Sequence, residues 1–217
     1  MTITPAANSV LADMMGGGSG TDRDIAMMIG IGLNKESDAV FFQYLGEEKQ
    51  PAALTIPSNG KPLTYLRNVR LVGIEIAEDI GTFKSTKINV FLESGAGNVV
   101  MLTSGLTTLW SQFLVCGLSG LYQSYDLNTA FTLNSWKGTQ GLKPCFASVQ
   151  MGKERIVDEM LRDQLKELRS DRATDKVKAV MYDTVEILQH ALKGDDVDAV
   201  TVQVQEPAAA LPEDIDF

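Results

Sequence analysis

Hydrophobic and polar residues alternate along short segments in the middle of the chain, with turn residues between the segments. Residues 84–93 are the clearest case, because Ile88 and Val90 fall on one side of an extended strand while Lys87 and Phe91 fall on the other. This alternation predicts a half-buried strand. Similar segments predict further strands at residues 70–76, 99–103, 131–137 and 144–151.

A segment of helical periodicity lies between the third and fourth of these strands. In residues 107–121 the apolar side chains are spaced three and four apart, which predicts an amphipathic helix that faces a core. Trp110 and Phe113 lie on its apolar stripe and are expected to be buried. Gly73, inside the first strand, predicts a bulge or tight bend of the kind that lets a small sheet curl.

The resulting order of elements, β-β-β-α-β-β, is the layout of the OB-fold, a five-stranded Greek-key barrel that commonly binds oligonucleotides or oligosaccharides. The sequence therefore predicts a mainly β fold with helices, in which an OB-fold occupies residues 63–152. An α+β domain of another topology is the open alternative. Ahead of the barrel, residues 1–24 predict a flexible Gly-rich arm, and residues 25–62 form an N-terminal extension with one or two strands.

The segment after the barrel, residues 153–194, has helical character. It carries two apolar stripes, the first of which starts at Ile156, and it therefore predicts two helices. Ser170 or Asp171 is suited to cap the start of the second helix, and Gly194 stands where a glycine cap ends it.

Charge is divided unevenly along the chain, whose net charge is −9. No Lys or Arg follows Lys193, and seven acidic residues lie beyond it, so that residues 1–194 carry only −2 (19 basic less 21 acidic). Residues 195–217 also lack helical periodicity and predict a disordered acidic tail. Most of the acidity belongs to that tail, which leaves the predicted barrel mildly basic.

Aromatic and basic side chains on the outward side of the strands favour binding of single-stranded nucleic acid, whose bases stack on flat rings while its phosphates attract positive charge. Alternation places Phe91 beside Lys87, and it places Trp136 opposite the inward Phe131 and Leu133. A role in the core is the alternative for each aromatic ring. The candidates for nucleic-acid contact in one groove are Arg67, Arg70, Phe83, Lys84, Lys87, Phe91, Trp136, Lys137 and Lys143.

The chain ends in acidic and apolar residues, which are Glu213, Asp214, Ile215, Asp216 and Phe217. A terminal Phe ring can enter an apolar pocket of a partner while upstream acids steer the approach. Together with the barrel layout, this ending resembles the bacterial single-stranded DNA-binding protein (SSB) family, whose chains combine an OB-fold with a disordered tail that ends in acids and then Ile-Pro-Phe. The resemblance implies that the barrel binds single-stranded DNA and that the tail docks replication, recombination and repair proteins.

The chain departs from the family at three points. Asp216 stands where the family has proline, the predicted barrel begins at residue 63 rather than near the N-terminus, and a helical segment replaces the family's long Gly/Gln/Pro-rich linker. The resemblance therefore implies a divergent member of phage, plasmid or unusual bacterial origin. Because of these departures the family's tetramer does not transfer directly, and a homo-oligomer is one open alternative.

Apolar runs and cysteine usage indicate the compartment. No run approaches the roughly 18 apolar residues of a membrane span, and the first residues do not have the pattern of a secretory signal. Cys116 and Cys145 sit inside apolar patterns and are expected to be buried free thiols. We expect a cytoplasmic protein at the nucleoid or at replication sites, with no membrane partner.

Other functions have less support in the sequence. His190 is the single histidine, which argues against a catalytic triad or a histidine-rich metal site, so we expect no enzymatic activity and no cofactor. A nuclease that holds Mg²⁺ with Glu75, Glu78 and Asp79 is one alternative. The other is a protein-interaction or assembly module of a phage or mobile element, in which the barrel binds protein instead of DNA and the acidic tail is only a solvated end.

Overall fold

The structure, a computed structural model, describes residues 25–34, 36–45, 50–80, 84–139 and 143–194. Over these residues the chain is mainly β, with one mixed sheet of nine strands and three helices. The strands are β1 (Ile25–Ile31), β2 (Phe41–Leu45), β3 (Gln50–Ala53), β4 (Tyr65–Ile80), β5 (Ser85–Ser94), β6 (Val99–Gly105), β7 (Phe131–Lys137), β8 (Cys145–Met151) and β9 (Glu154–Ile156). The helices are α1 (Leu109–Ser124), α2 (Glu159–Ser170) and α3 (Thr174–Lys193).

The strands lie in the order β3-β2-β1-β6-β5-β4-β7-β8-β9. All neighbours are antiparallel except β1 and β6, which run parallel. Strands β4, β5 and β6 follow one another, and the chain then passes through α1 to β7, which returns beside β4 and completes a Greek key. The predicted order β-β-β-α-β-β is therefore confirmed over β4 to β8. The sheet is larger than the predicted five strands, because β1, β2, β3 and β9 extend it.

The alternation predicted for β5 is confirmed. Ile88, Val90 and Leu92 are fully buried and pair in register with inward residues of β4 and β6. The predicted bulge is also present, since the β4–β5 register shifts between Leu71 and Gly73. The two faces of this hairpin therefore have separate roles, one in the core and one toward solvent.

Helix α1 packs its apolar stripe on the inner side of the sheet. Trp110 is 1% exposed, as predicted, and its indole Nε1 donates a hydrogen bond to Ser135 Oγ at 3.0 Å. Phe113 is only partly buried at the margin of the core. Gly117 allows the helix to lie close to β8, because a Cβ at this position would stand 2.6 Å from a methyl of Val149.

Helix α3 covers an edge of β4 that has no neighbouring strand. Strand β7 pairs with β4 only from Tyr65 to Val69, which leaves the next part of that edge without a ladder. Gln189 Nε2 donates to the Ile74 carbonyl at 2.8 Å, and the Tyr182 hydroxyl donates to Glu78. Gln189 thus supplies one backbone hydrogen bond that a strand would otherwise make, and Tyr182 adds a side-chain contact.

Two local predictions for the C-terminal helices are wrong. Ile156 pairs with Val149 in β9 instead of starting a helix, because the tight turn at Gly152 (φ +62°) returns the chain to the sheet. Neither Ser170 nor Asp171 caps α3, whose N-cap is Ala173 without a side-chain hydrogen bond. The Ser170 hydroxyl donates instead to the Lys166 carbonyl within α2. The predicted glycine cap is confirmed, since Gly194 ends α3 in the left-handed conformation.

None of the helices in the described part of the chain has the length and apolar character needed to span a membrane.

The two thiols differ in burial, and both are free. Cys116 is 2% exposed, and burial, with a smaller effect of the nearby Asp158 carboxylate, raises its pKa to about 12. Cys145 is partly exposed, and burial raises its pKa as well. A raised thiol pKa means less thiolate at a given pH, and the thiolate is the reactive form.

We predict that at pH 8 a disulfide reagent labels Cys145 first and reaches Cys116 only after unfolding, because a thiol of pKa about 12 is ionised in roughly one molecule in 10⁴ at that pH. The measurement is a thiol titration with and without denaturant. Cys145→Ser, as a control, should remove the fast reaction. Equal native labelling of both thiols would contradict the burial of Cys116.

Candidate nucleic-acid interface

The outward side of strands β1, β6, β5 and β4, called here the sheet face, is built around Phe91. This residue lies opposite Gly73 of β4 on one side and Met101 of β6 on the other. A Cβ at Gly73 would stand 3.1 Å from Phe91 Cδ2, so glycine is what lets the ring lean across β4. Phe91 is partly exposed, as the alternation of β5 predicts.

Carboxylates of the sheet face are engaged in side-chain contacts. Arg70 Nη2 donates to Glu93 Oε2 at 2.8 Å, and Asn89 Nδ2 donates to Glu75 Oε1 at 2.9 Å. Lys87 lies on the same outward side of β5 as Phe91, where it forms no ion pair with the described residues. Glu75 is bonded to a neutral amide and keeps its negative charge, so Lys87 and Lys84 face one unpaired carboxylate on this side of the sheet.

A cavity of about 590 Å³ opens at one end of the sheet face. Its walls come from four neighbouring strands and from the turn between α1 and β7. Its lining residues are Ile25, Arg70, Val72, Gly73, Phe91, Glu93, Val99 and Asn128. It combines an aromatic ring, apolar walls and a few hydrogen-bonding groups, as ligand pockets commonly do.

Trp136 belongs to a second surface on β7 and β8, called here the aromatic corner. The side chain is 41% exposed and stacks on Phe146, with ring centroids 5.8 Å apart and an interplanar angle of 20°. Phe146 in turn meets Phe113 edge to face at 5.5 Å. The ring of Trp136 is thus held by a second ring and partly open to solvent.

Tyr65 and Arg67 lie near this corner at the start of β4. Tyr65 is opposite Asn134, two residues before Trp136 on β7, and the Arg67 guanidinium lies 4.4 Å from the Tyr65 ring centroid. From Tyr65 to Gly73 the strand advances by roughly 26 Å at 3.3 Å per residue. The aromatic corner and the cavity of the sheet face are therefore separate surfaces.

Lys137 and Lys143 hold the chain that follows β1. The Lys137 amine donates to the Asn34 carbonyl at 2.6 Å and to the Ser37 carbonyl, while Lys143 forms an ion pair with Asp38 at 3.1 Å. These contacts join the ends of β7 and β8 to the segment after β1, beside a smaller cavity of about 310 Å³. Both lysines have structural partners, which the sequence did not indicate.

The predicted single groove is thus divided into three groups. Arg70, Lys87 and Phe91 share the sheet face, with Lys84 in the turn before β5. Trp136 and Arg67 lie at the aromatic corner, and Lys137 and Lys143 lie at the strand ends. Phe83 and the predicted docking residues Glu213, Asp214, Ile215, Asp216 and Phe217 lie outside the described residues.

Sequence reasoning missed the apolar residues that β1 and β6 add to the sheet face. Ile25 and Met28 are 53% and 50% exposed, and Met101 lies between Met28 and Phe91 in the register. The one sequence signal was an apolar run at residues 25–31 without alternation, which does not reveal which side of a strand faces outward.

In the residues that the structure describes, no group of three or more His, Cys, Asp or Glu side chains is arranged to hold a metal ion. Comparisons with protein-family models, with curated proteins and with solved structures gave no match.

The contacts of Lys137 predict that its substitution destabilises the fold more than substitution of Lys84 does. Lys137→Met should lower the free energy of unfolding by about 1–2 kcal/mol, because two backbone carbonyls lose a charged donor. Lys84→Met, at an exposed turn, should change it little. Urea unfolding measures both. Equal stability of Lys137→Met and the wild type would show that these hydrogen bonds do not hold the segment after β1.

Proposed function

We propose that the chain is a single-stranded DNA-binding protein that coats DNA without strong sequence preference and recruits replication, recombination or repair proteins through its acidic C-terminal end. The observation that carries the proposal is the position of Phe91, which lies partly exposed beside a cavity on the outward side of β5. A ring in this position can stack on any base, since every base has a flat π face. Lys87 on the same strand adds positive charge for the phosphates.

The topology supports an OB-type barrel as the binding domain. An OB-fold is a five-stranded Greek-key barrel that is partly open, and its second and third strands present the ligand face. Strands β4 to β8, with α1 between the third and fourth, have the required order and Greek-key pairing. The second and third strands of this set are β5 and β6, which carry Phe91 and Met101.

The proposed barrel closes differently from a five-stranded barrel. No ladder joins β6 to β8 in the described residues; instead β6 pairs with β1, and the segment after β1 is bound to Lys137 and Lys143. The N-terminal strands thus take part in the barrel that we propose. Within this interpretation, the two lysines support the ligand face indirectly.

A titration with dT oligonucleotides tests the proposal. The fluorescence anisotropy of a dye-labelled oligonucleotide should rise on binding, and log affinity should fall with log salt at a slope of about −0.7 per phosphate neutralised. Quenching of intrinsic fluorescence that is lost in Trp136→Phe would add the aromatic corner to the bound surface, since Trp110 is buried. Absence of binding at low salt would rule out the function.

Phe91→Ala should weaken dT binding by roughly 5-fold to 150-fold, the equivalent of about 1–3 kcal/mol for one stacked base. Phe91→Trp should retain most of the affinity. Tyr122→Ala, which removes a partly exposed ring on α1 away from the sheet face, is the matched control. If both alanine variants bind like the wild type while remaining folded, Phe91 is not a stacking platform.

The acidic end should act independently of the barrel. Deletion of Phe217 should leave dT affinity nearly unchanged and abolish pull-down of replication and repair proteins, because the ring that enters the partner's pocket is lost. Asp216→Pro, which restores the family's ending, should retain the pull-down. Deletion of residues 195–217 should tighten dT binding, since it removes seven negative charges that compete with the DNA. Equal pull-down with and without Phe217 would remove the docking role.

A further inference from the structure

An apolar row crosses the sheet face from β1 to β4. In register, Met28 lies opposite Met101, Met101 opposite Phe91, and Phe91 opposite Gly73. Ile25 at 53%, Met28 at 50% and Val72 at 44% exposure are among the most exposed large apolar side chains of the described residues. Grouped exposed apolar residues of this kind mark a binding surface more often than isolated ones do.

Strand β1 contributes to this face because of its irregular register. The pairing of β1 with β6 shifts between Ile25 and Met27, so that Ile25 and Met28 both face outward while Met27 is 3% exposed. Without the shift, residues three apart would point to opposite sides of the sheet. The irregularity thus adds Ile25 to the outward apolar surface beside Met28.

The same strand forms a wall of the cavity that holds Phe91. Ile25 lines the cavity on the β1 side, and Arg70 and Val72 line it on the β4 side. From β5 to β1 the sheet extends by two strand spacings, about 10 Å, which exceeds the 3.4 Å rise between stacked bases of a strand. A base held at Phe91 therefore leaves room for a neighbouring base beside Met28.

We propose that β1 is part of the DNA-binding surface, with Met28 packing its thioether against a base next to the one that stacks on Phe91. Thioether sulfur makes favourable contacts with aromatic rings and adapts to different shapes, which suits a binder without sequence preference. The inference rests on the proposed function. It adds a contact from β1, the N-terminal strand that pairs with β6, to those of strands β4 to β8.

The charges around the row favour a nucleic acid over an apolar protein segment. Glu93 is neutralised by Arg70, and Glu75 is bonded to the neutral amide of Asn89. Lys84 and Lys87, two amines against this one carboxylate, have no ion pair among the described residues. Phosphates that follow a row of bases would meet these two amines. An apolar row with two unpaired amines further along the same side of β5 matches the chemistry of single-stranded DNA.

Substitution of Met28 tests the inference with a dT oligonucleotide of about 16 nucleotides, the upper end of the site size of one OB domain. Met28→Ala should weaken binding by about 3-fold to 10-fold, and Met28→Glu by more than about 10-fold, because a carboxylate would face the phosphates. The matched controls are Met160→Ala and Met160→Glu, since Met160 is 80% exposed on α2 and away from the row. Both should bind like the wild type, and circular dichroism checks that all variants are folded.

Methionine oxidation gives a second measurement on the unmodified chain. Hydrogen peroxide converts the thioether to a sulfoxide and is reduced to water, and mass spectrometry locates the added oxygen. Bound dT should slow oxidation of Met28 at least about 5-fold and leave Met160 unchanged. This test does not depend on whether a variant folds.

The outcomes separate the inference from the function on which it rests. If the wild type does not bind dT, the proposed function fails and the inference fails with it. If the wild type binds, Phe91→Ala weakens binding, and Met28 is neither protected nor sensitive to substitution, only the role of β1 is overturned. Loss of binding in Met28→Glu together with protection of Met28 supports it.

Discussion

The described fold depends on how β4 is shared between two neighbours. Its first residues pair with β7 and its later residues with β5, so one strand of 16 residues links both halves of the sheet. Register shifts between Leu66 and Val69 and between Leu71 and Gly73 let it turn from one partner to the other. Beyond Val69, the edge that β7 leaves open is covered by α3. A straight β4 could not keep its inward residues in the core along both pairings.

The same bends divide the outward side into two surfaces. Tyr65 and Trp136 lie where β4 pairs with β7, whereas Gly73 and Phe91 lie where it pairs with β5. Aromatic rings at the two places meet different surroundings: Trp136 stacks on Phe146, while Phe91 borders a cavity. Each surface has a cation without an ion pair in the described residues, Arg67 at the corner and Lys87 on the sheet face. The sheet face adds the cavity of about 590 Å³ beside its ring, and for this reason it is the stronger candidate for a ligand site.

Local patterns predicted what local chemistry determines. Alternation of polar and apolar residues correctly predicted which side chains of β5 face inward and outward. Gly73 predicted the bulge in β4, and helical spacing predicted the burial of Trp110. Contacts between distant parts of the chain left no such signal. The acceptors of Lys137 are backbone carbonyls about 100 residues earlier, which no side-chain pattern marks. The position of β1 in the sheet could not be predicted either, because its parallel pairing with β6 joins segments about 70 residues apart. Its apolar residues also do not alternate with polar ones, so the sequence does not show which side chains face outward.

Because inward and outward side chains alternate along β5, the residues that stabilise the core differ from those that could contact a ligand on the sheet face. Ile88 and Val90 are fully buried, so changes there act on the core. Lys87 faces outward from the same strand, and replacing it leaves the core contacts in place. Phe91 is the exception, because its ring leans over Gly73 and so contributes to the β4–β5 pairing as well as to the surface. A loss of affinity in a Phe91 variant therefore identifies a ligand contact only when the folded state is preserved, whereas a loss at Met28, at 50% exposure on an outward position, bears directly on the ligand.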